Sequence, residues 1–253
     1  MKIEKVIISF NKKVSDEYFL LGLESPSIAS HVRAGQFLLV QAEVDTTNPL
    51  LKIPLAIYDK TPKDITVLCR IRGQKTNLLS QKTKGQSIEI LGPLGNSFDS
   101  YPLTKTAILV AGGCGIASLY LLAKKLREKN VSVLLLSGAR CKDELIEIER
   151  FEALKCKVSC ATDDGSQGFR GDVVELFLKT KKHSNFRVYA AGPEAMLRRI
   201  ATLATTQSFD AQLSFESYMA CGIGVCRGCA VKVSTGYQLC CQQGPIFQAN
   251  EII

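Results

Sequence analysis

Short runs of apolar and β-branched residues alternate with turn residues through roughly the first hundred positions of the chain. Segments of this kind, separated by residues such as Gly35, Asp59 and Gly85, are typical of β-strands. Their close and even spacing predicts a small antiparallel barrel. The predicted strands are Lys2–Ser9, Tyr18–Leu23, Gln36–Gln41, Ile53–Tyr58, Ile65–Arg70 and Ser87–Ile90.

The pattern changes near residue 105, where buried strands begin to alternate with helical periodicity. The predicted strands are Ala107–Ala111, Val131–Ser137, Lys157–Ala161 and Arg187–Ala190. The first predicted helix begins at Ile116, and the second is capped by Asp143 and ends near Leu154. The third runs from Asp172 to Lys182, and the fourth from Pro193 to Thr205. Alternating strands and helices predict a parallel, doubly wound α/β sheet.

The segment after residue 215 is rich in glycine and cysteine, and it carries the most specific motif of the chain. Met219-Ala220-Cys221-Gly222-Ile223-Gly224-Val225-Cys226-Arg227-Gly228-Cys229 has the C-x4-C-x2-C spacing of plant-type ferredoxins. Glycines between the thiols let the backbone fold closely around a [2Fe–2S] cluster and turn N–H groups toward the sulfurs. Cys240 and Cys241 both qualify as the fourth ligand. A zinc site is the alternative interpretation.

The composition narrows the function classes. The net charge is +8, but Lys and Arg are spread along the chain rather than clustered with aromatic residues, which argues against nucleic acid binding. No apolar run is long enough for a membrane span and no secretory signal is seen, so we expect a cytoplasmic protein. With two histidines and no Gly-x-Ser-x-Gly motif, we predict no hydrolytic catalytic residue.

A glycine-rich turn, Ala111-Gly112-Gly113-Cys114-Gly115, joins a predicted strand to a predicted helix. Glycines at this position let a phosphate approach the free N–H groups of the helix start. The turn lacks the last glycine of a dinucleotide fingerprint, because Ser118 stands there. The turn is therefore either a phosphate cradle or simply a tight connection.

The order of barrel, α/β domain and cysteine-rich tail resembles the electron-transfer subunits of the NAD-linked, two-subunit dihydroorotate dehydrogenases. These subunits belong to the ferredoxin reductase superfamily. The resemblance covers almost the whole chain. The segments that carry it, besides the cysteine motif, are Gly92-Pro93-Leu94-Gly95-Asn96, Gly112-Gly113-Cys114-Gly115-Ile116, Asp164-Gly165-Ser166, Gly192-Pro193-Glu194-Ala195-Met196-Leu197 and Cys241-Gln242-Gln243-Gly244-Pro245-Ile246-Phe247.

The resemblance implies an FAD-binding barrel (residues 1–101), an NAD-binding α/β domain (102–214) and a [2Fe–2S] domain (215–253). It also implies a partner, an FMN-containing dihydroorotate dehydrogenase catalytic subunit, in a heterotetramer with two copies of each chain. Electrons would pass from dihydroorotate through FMN, the cluster and FAD to NAD+ in pyrimidine biosynthesis. The alternatives are a related FAD/[2Fe–2S] reductase subunit of another redox complex, or a cluster-bearing subunit without flavin turnover.

The resemblance also assigns residues to each cofactor. The cluster ligands are Cys221, Cys226, Cys229 and Cys241, the last chosen because it opens the Cys-x-x-Gly-Pro-x-Phe segment. The implied FAD-binding residues are Ile53, Pro54, Leu55, Ala56, Leu68, Cys69, Arg70, Lys75 and Thr76. The implied NAD-binding residues are Gly112, Gly113, Gly115, Gly192 and Pro193.

The barrel departs from the family pattern at the residues that meet the flavin. The family has Arg-Pro-x-Ser where this chain has Ile53-Pro54-Leu55-Ala56, so a cation and a hydroxyl are missing. Cys69 replaces a tyrosine and Lys75 replaces a glycine. We hypothesise that Lys75 supplies the missing positive charge from a different position. In the α/β domain, Ala191 stands where the family often has cysteine.

Overall fold

The computed structural model describes residues 1–42, 50–99, 106–180 and 185–252, which form three sheets. The first is a closed barrel, the second has seven strands and the third is a two-stranded hairpin. The predicted arrangement of a barrel, a doubly wound α/β domain and a small C-terminal region is confirmed. No helix among these residues is long and apolar enough to span a membrane.

All strand pairs of the barrel are antiparallel, in the order β1-β2-β5-β4-β3-β6. The six strands are β1 Lys2–Lys13, β2 Tyr18–Glu24, β3 Phe37–Gln41, β4 Ile53–Lys60, β5 Asp64–Arg70 and β6 Ser87–Leu94. The barrel also holds two helices that the sequence patterns did not predict. The short α1, Pro26–Ala29, is capped by Ser25. The second, α2, Gln74–Gln81, begins beside β5 and has too weak an apolar stripe for pattern reading.

The second sheet runs in the order β10-β9-β8-β7-β11-β12-β15 and is parallel except at its last strand. Its strands are β7 Thr106–Gly112, β8 Ser132–Ala139, β9 Lys157–Thr162, β10 Phe169–Arg170, β11 Phe186–Ala191, β12 Ala211–Ser214 and β15 Ile246–Gln248. The strand order reverses direction between β7 and β11. Ligands bind at such a switch point in open α/β sheets, at the carboxyl ends of the strands.

The helices of this domain are α3 Ile116–Glu128, α4 Ile148–Ala153, α5 Val173–Thr180 and α6 Glu194–Thr206. The predicted helix from Asp143 to Leu154 is wrong in its first half. A 3-10 turn occupies Lys142–Glu144, and Glu147 then adopts a left-handed conformation with φ of 58°. Glu147 accepts a 2.8 Å hydrogen bond from the hydroxyl of Tyr58 in the barrel. This tertiary contact favours a late helix start that the local sequence does not reveal. The predicted end of α5 near Lys182 lies outside the described residues.

The C-terminal segment is divided between two sheets. β13 Ala230–Val233 and β14 Gly236–Leu239 form the hairpin, whereas β15 joins the central sheet antiparallel to β12. The boundary that we predict at residue 214 therefore does not coincide with a division between sheets. The other boundary, at residue 101, lies outside the described part of the chain.

The barrel and the α/β domain meet in a set of aromatic and charged side chains, which we call the Arg150 clasp. The rings of Tyr58 on β4 and Tyr120 on α3 stack at 4.5 Å between centroids. The Arg150 guanidinium lies over both rings, 5.0 and 4.5 Å from their centroids. Asp59 accepts from Arg150 at 3.1 Å and from Lys124 at 3.0 Å. The clasp ties the strand that begins with Ile53 to the helix that follows the glycine turn.

Candidate functional site: a cysteine loop, a barrel face and a glycine turn

The first candidate site is the loop between β12 and β13, which carries three of the clustered cysteines, Cys221, Cys226 and Cys229. Glycines at two positions between Cys221 and Cys226 adopt positive φ, 67° at Gly222 and 81° at Gly224. A side chain other than glycine is strained in this conformation. A Cβ on Gly222 would also lie 2.5 Å from the Leu39 side chain of the barrel. The loop therefore curls tightly while resting on the end of the barrel.

Backbone N–H groups of this loop point at a cysteine sulfur. The N–H groups of Ile223 and Cys226 both donate to the Cys221 sulfur, each at 3.4 Å. These bonds, with that from Cys226 the stronger, lower the pKa of the Cys221 thiol to about 7. A thiolate is the form that binds iron, so the loop favours the required charge state before any metal arrives.

Cys229 and Cys241 form the other half of the cysteine cluster. Their sulfurs are 3.3 Å apart, and both residues are almost completely buried. Burial, and then the neighbouring Cys229 thiol, raise the pKa of Cys241 to about 11. Two neutral thiols can share a buried site, whereas two thiolates would need a cation between them. A bound iron centre would supply that positive charge.

Cys240 points to a different partner from its neighbour Cys241. Its sulfur donates to the backbone oxygen of Phe215 at 3.2 Å, and the residue is fully buried. Burial raises the pKa of the Cys240 thiol to about 12. Because the thiol already has an acceptor on the β12 side of the fold, this geometry supports the choice of Cys241 as the ligand.

The chemistry of the donor set fits an iron–sulfur cluster. It comprises thiols from two segments, left-handed glycines and N–H groups aimed at sulfur, the features that clusters of this type need. In the part of the chain that the structure describes, no three cysteine, histidine or acidic side chains converge as a single metal ion would require. The four-cysteine ligand set stays a prediction. Within it, Cys229 and Cys241 are the pair whose sulfurs the structure places in contact.

The second candidate site is the face of the barrel around the start of β4. Ile53, Pro54 and Ala56 are half-buried and offer apolar surface, while Leu55 is buried. Lys52 beside them is not available as a replacement cation, because its ammonium pairs with Glu89 at 2.7 Å. This stretch can contact a flat ring, but its side chains offer no donor to a phosphate.

The side chains at the end of β5 are either buried or already paired. Leu68 and Cys69 are buried, and burial raises the pKa of the Cys69 thiol. The Arg70 guanidinium donates to Glu17 at 2.6 Å and lies 5.5 Å from the Tyr18 ring centroid. Arg70 therefore already has a carboxylate partner.

The start of α2 supplies the anion-binding features that the strands lack. Its cap residue, Gly73, makes no side-chain cap, and a Cβ placed there would meet nothing within 4 Å. The Thr76 hydroxyl accepts from the Arg72 N–H at 2.7 Å and donates to the Gly73 oxygen at 3.1 Å, which shapes the turn. Lys75 lies half-buried on this first turn. Free N–H groups next to a cation fit a diphosphate, and the role of Lys75 as the replacement cation stays a hypothesis.

The third candidate site lies at the switch point of the central sheet. Two turns that contain glycine, one at Gly112–Gly115 and one at Gly192, follow neighbouring strands of this sheet. The strands are neighbours because Ala111 on β7 pairs with Ala191 on β11. A Cβ on Gly115 would lie 2.2 Å from the Ala191 oxygen, and one on Gly192 would lie 2.9 Å from the Gly112 Cα. These glycines are required by the close packing of one turn on the other.

Gly113 differs from the other glycines of these turns. Its φ is 51°, and a Cβ placed on it would meet nothing within 4 Å. The first turn of α3, which follows it, has no side-chain cap. Open space at this turn, at the switch point of the sheet, fits the pyrophosphate of a nicotinamide dinucleotide. The phosphate-cradle interpretation thus rests on Gly113, and the tight-turn interpretation explains Gly112, Gly115 and Gly192.

Sequence reasoning missed the role of Asn96. Its motif, Gly92-Pro93-Leu94-Gly95-Asn96, carries part of the family resemblance, but the motif predicts no separate role for Asn96. In the structure the Asn96 side chain hydrogen-bonds to residues 243 and 246, beyond the last cysteine. The signal was the presence of two motifs far apart in the chain, but a sequence alone does not reveal that they touch.

The cysteine region matches a known family model. The iron-sulfur cluster binding domain of dihydroorotate dehydrogenase B covers residues 216–253. Over nearly the whole chain, this protein is 34% identical to the dihydroorotate dehydrogenase B (NAD(+)) electron transfer subunit of Desulforamulus reducens, covering 95% of this chain and 94% of the relative. It is 36% identical to the subunit of the same name from Listeria innocua, with the same two coverages.

Solved structures support the same fold. One, from a study of flavin-based electron bifurcation by an NADH-dependent reduced ferredoxin-NADP oxidoreductase, superimposes with a TM-score of 0.86 at 30% identity, covering 98% of this chain and 89% of the other. A ferredoxin NADP+ reductase from Neisseria gonorrhoeae with bound FAD and NADP has a TM-score of 0.67 at 16% identity, covering 83% of this chain and 92% of that one. The second match shows the fold alone.

The near full-length identity, the matched cluster-binding domain and the barrel–α/β architecture agree with one another. They confirm the resemblance noted from the sequence motifs. The chain belongs to the family of dihydroorotate dehydrogenase B (NAD(+)) electron transfer subunits.

Proposed function

We propose that this chain binds a [2Fe–2S] cluster, FAD and NAD, and that it carries electrons from a dihydroorotate-oxidising, FMN-containing partner to NAD+. The observation that carries the proposal is the cysteine cluster at the barrel end. Cys229 and Cys241 are in contact there, Cys221 receives two N–H donors, and the loop rests on the barrel through Gly222. When bound, a flavin can exchange single electrons with a cluster and a hydride with a nicotinamide.

The residues of the chain have distinct tasks in this proposal. Cys221, Cys226, Cys229 and Cys241 hold the cluster as thiolates. The half-buried strip at Ile53 and Ala56 excludes water from one side of the flavin, and the start of α2 with Lys75 binds its phosphates. Gly113, which has no side chain, leaves space for the nucleotide at the switch point. The Arg150 clasp holds the barrel and the α/β domain in a constant relative position.

The family name also supports the assembly that we propose. An electron transfer subunit needs a catalytic partner, and we infer a heterotetramer with two copies of each chain, located in the cytoplasm. A cluster near the surface suits contact with a second redox centre, and Tyr218 and Val225 beside the cysteines are 97% and 76% exposed. Apolar side chains exposed in this way are typical of protein contact surfaces.

A related redox complex is the second candidate function. The structure that matches with a TM-score of 0.86 comes from an electron-bifurcating reductase rather than a dihydroorotate dehydrogenase. Its 30% identity is close to that of the curated relatives. The two candidates share the cofactors but differ in the electron donor. A third possibility, a cluster-bearing subunit without flavin turnover, would follow from the changes at Ile53 and Ala56.

The deciding experiment is anaerobic purification of the chain alone and together with an FMN-containing dihydroorotate dehydrogenase. Iron, acid-labile sulfide and FAD are measured, and the complex is then assayed for dihydroorotate-dependent reduction of NAD+. We expect two irons and one FAD per chain, and turnover only in the complex. Full cofactor content without dihydroorotate turnover would favour the related redox complex. Iron without FAD would favour the subunit that lacks flavin turnover, and zinc in place of iron would contradict the proposal.

A further inference from the structure

We propose that Asn96 is a positioning residue, which fastens the cluster-binding segment to the barrel and thereby sets the separation of the cluster and flavin sites. The inference rests on the function proposed above, because only a chain that holds both cofactors has such a separation to maintain. Among the described residues, the hydrogen bonds of Asn96 go to residues 243–246 rather than to a cysteine or the barrel face, so it acts through the segments that it joins.

Asn96 makes four hydrogen bonds to a stretch of chain almost 150 residues away. Its backbone N–H donates to the Gly244 oxygen at 2.7 Å. Its side-chain amide nitrogen donates to the backbone oxygens of Gln243 at 2.6 Å and Ile246 at 2.7 Å. Its amide oxygen accepts from the Ile246 N–H at 2.9 Å. One side chain thus satisfies both the N–H and the oxygen of Ile246, as a paired strand would.

The geometry requires an asparagine in particular. Two carbonyl oxygens face the amide nitrogen, and one N–H faces the amide oxygen, so the orientation of the amide follows from its partners. An aspartate of the same shape would place a charged oxygen against those two carbonyls. A serine would be too short to reach all three partners.

The barrel end of this connection is itself held in place. The Gln36 side chain, which is almost completely buried, donates to the Gly95 oxygen at 2.9 Å. Gly95 has a φ of 73°, and a Cβ placed on it would lie 2.5 Å from the Pro245 ring. Only a glycine allows Asn96 to approach residues 243–246 so closely.

The other end of the connection leads directly to the cluster site. Gln243 follows Cys241 by two positions, and Ile246 begins β15, which pairs with β12. Cys241 is therefore held on a segment with Asn96 on one side and the central sheet on the other. The first cysteines reach the same barrel end through Gly222, which packs on Leu39 and Leu94. The two halves of the cysteine cluster thus rest on one surface.

The test compares Asn96→Asp with the wild-type protein as purified with its cofactors. Asn130→Asp is the matched control, because Asn130 is exposed at the end of α3 and its substitution makes the same change of charge. Two rates are measured after mixing with NADH: reduction of a dye that takes electrons at the flavin, and loss of the cluster's visible circular dichroism. Backbone amide hydrogen exchange of residues 240–248 is measured in parallel. This measurement does not depend on whether a cofactor is bound.

We expect Asn96→Asp to slow cluster reduction several-fold relative to dye reduction, because only cluster reduction depends on the separation of the cluster and flavin sites. Exchange of residues 240–248 should rise, and Asn130→Asp should match the wild type in every measurement. A purely structural role would lower both rates together. An unchanged ratio of the two rates with unchanged exchange would overturn the proposal.

Asn96→Ser keeps the proposal testable if the aspartate variant does not fold. It removes the amide without adding charge, and it should raise exchange in the same residues and shift the same ratio by a smaller factor. If the wild-type protein lacks flavin, the function proposed above fails while the exchange arm still decides the role of Asn96. If residues 240–248 of the serine variant exchanged hydrogen at the wild-type rate, that result would count against the role proposed for Asn96.

Discussion

The two adjacent cysteines at positions 240 and 241 face different surroundings. The Cys241 sulfur lies 3.3 Å from that of Cys229, while the Cys240 sulfur donates to the Phe215 oxygen. Consecutive residues rarely present their side chains to the same point, so one of the two is free for a structural task. Cys240 performs that task by tying the cluster segment to the end of β12.

Replacing each of these cysteines separately should distinguish their roles. We expect Cys241→Ala to lose most of its iron, because a [2Fe–2S] cluster needs four protein ligands. Cys240→Ala should retain two irons per chain and lose about 1 kcal/mol of stability, the usual value of one hydrogen bond. Iron analysis and urea unfolding of both variants decide the question. Iron loss in the Cys240 variant with retention in the Cys241 variant would reverse the assignment.

Lys75 carries the second prediction at the residue scale. It lies on the first turn of α2, where free N–H groups and an ammonium would both face a diphosphate. Lys75→Ala should weaken FAD binding by roughly tenfold or more, since a charge-assisted hydrogen bond contributes about 1.5–3 kcal/mol. Lys63→Ala, at the exposed turn before β5, is the control. Equal FAD affinity of the two variants, measured by titration of the apoprotein, would show that Lys75 does not bind the phosphates.

The turn between β7 and α3 illustrates how one element serves both packing and binding. Gly115 has no room for a Cβ because the Ala191 oxygen would be 2.2 Å away, whereas Gly113 faces open space. The two glycines look equivalent in the sequence. Only the neighbouring β11 turn distinguishes them, because it packs against one and leaves the other exposed to a ligand.

Substitutions at the two positions should therefore act in different ways. Gly115→Ala is expected to cost about 1–3 kcal/mol of unfolding free energy through overpacking. Gly113→Ala should cost only about 1–2 kcal/mol from its left-handed backbone. The Gly113 variant should nevertheless bind NADH more weakly, because the added methyl group occupies the open space beside the helix start. Urea unfolding and NADH titration check both, and unchanged NADH affinity in Gly113→Ala would leave only the tight-turn interpretation.

At the scale of the whole molecule, the chain is held together by contacts between regions far apart in sequence. The Arg150 clasp joins the barrel to the α/β domain, and Arg187 on β11 pairs with Asp99 at 3.0 Å, near the end of the barrel region. Asn96 joins the barrel to the cluster segment. These contacts hold three candidate cofactor sites in one arrangement, which electron transfer between them requires.

The contribution of the clasp can be measured through Arg150. Arg150→Lys keeps the charge but loses the planar group that lies over two aromatic rings, so we expect a loss of about 1–2 kcal/mol. The double variant with Asp59→Asn should show a coupling energy of at least about 0.5 kcal/mol. Arg140→Lys, at an exposed arginine that pairs with the less exposed Glu144, should change stability by less than about 1 kcal/mol. Equal urea midpoints for both arginine variants would contradict a clasp.

Local patterns in the sequence were sufficient to predict the order of barrel, α/β domain and cysteine segment. Strand alternation and helical periodicity are properties of neighbouring residues, and C-x4-C-x2-C is a short-range spacing. The early start predicted for the helix at Asp143 was wrong because Tyr58, in another domain, hydrogen-bonds to Glu147. The unpredicted α2 has almost no apolar stripe, so its signal was missing from the pattern.

The sequence by itself determined which residues are chemically able to bind a cluster and a nucleotide, because thiols, glycines and their spacing are written in it. The tertiary structure decided which of them face one another. It separated Cys241 from Cys240, distinguished the open Gly113 from the packed Gly115, and brought Asn96 to residues 243–246 across the length of the chain. Contacts between distant segments depend on how whole sheets pack, and no local pattern encodes that packing.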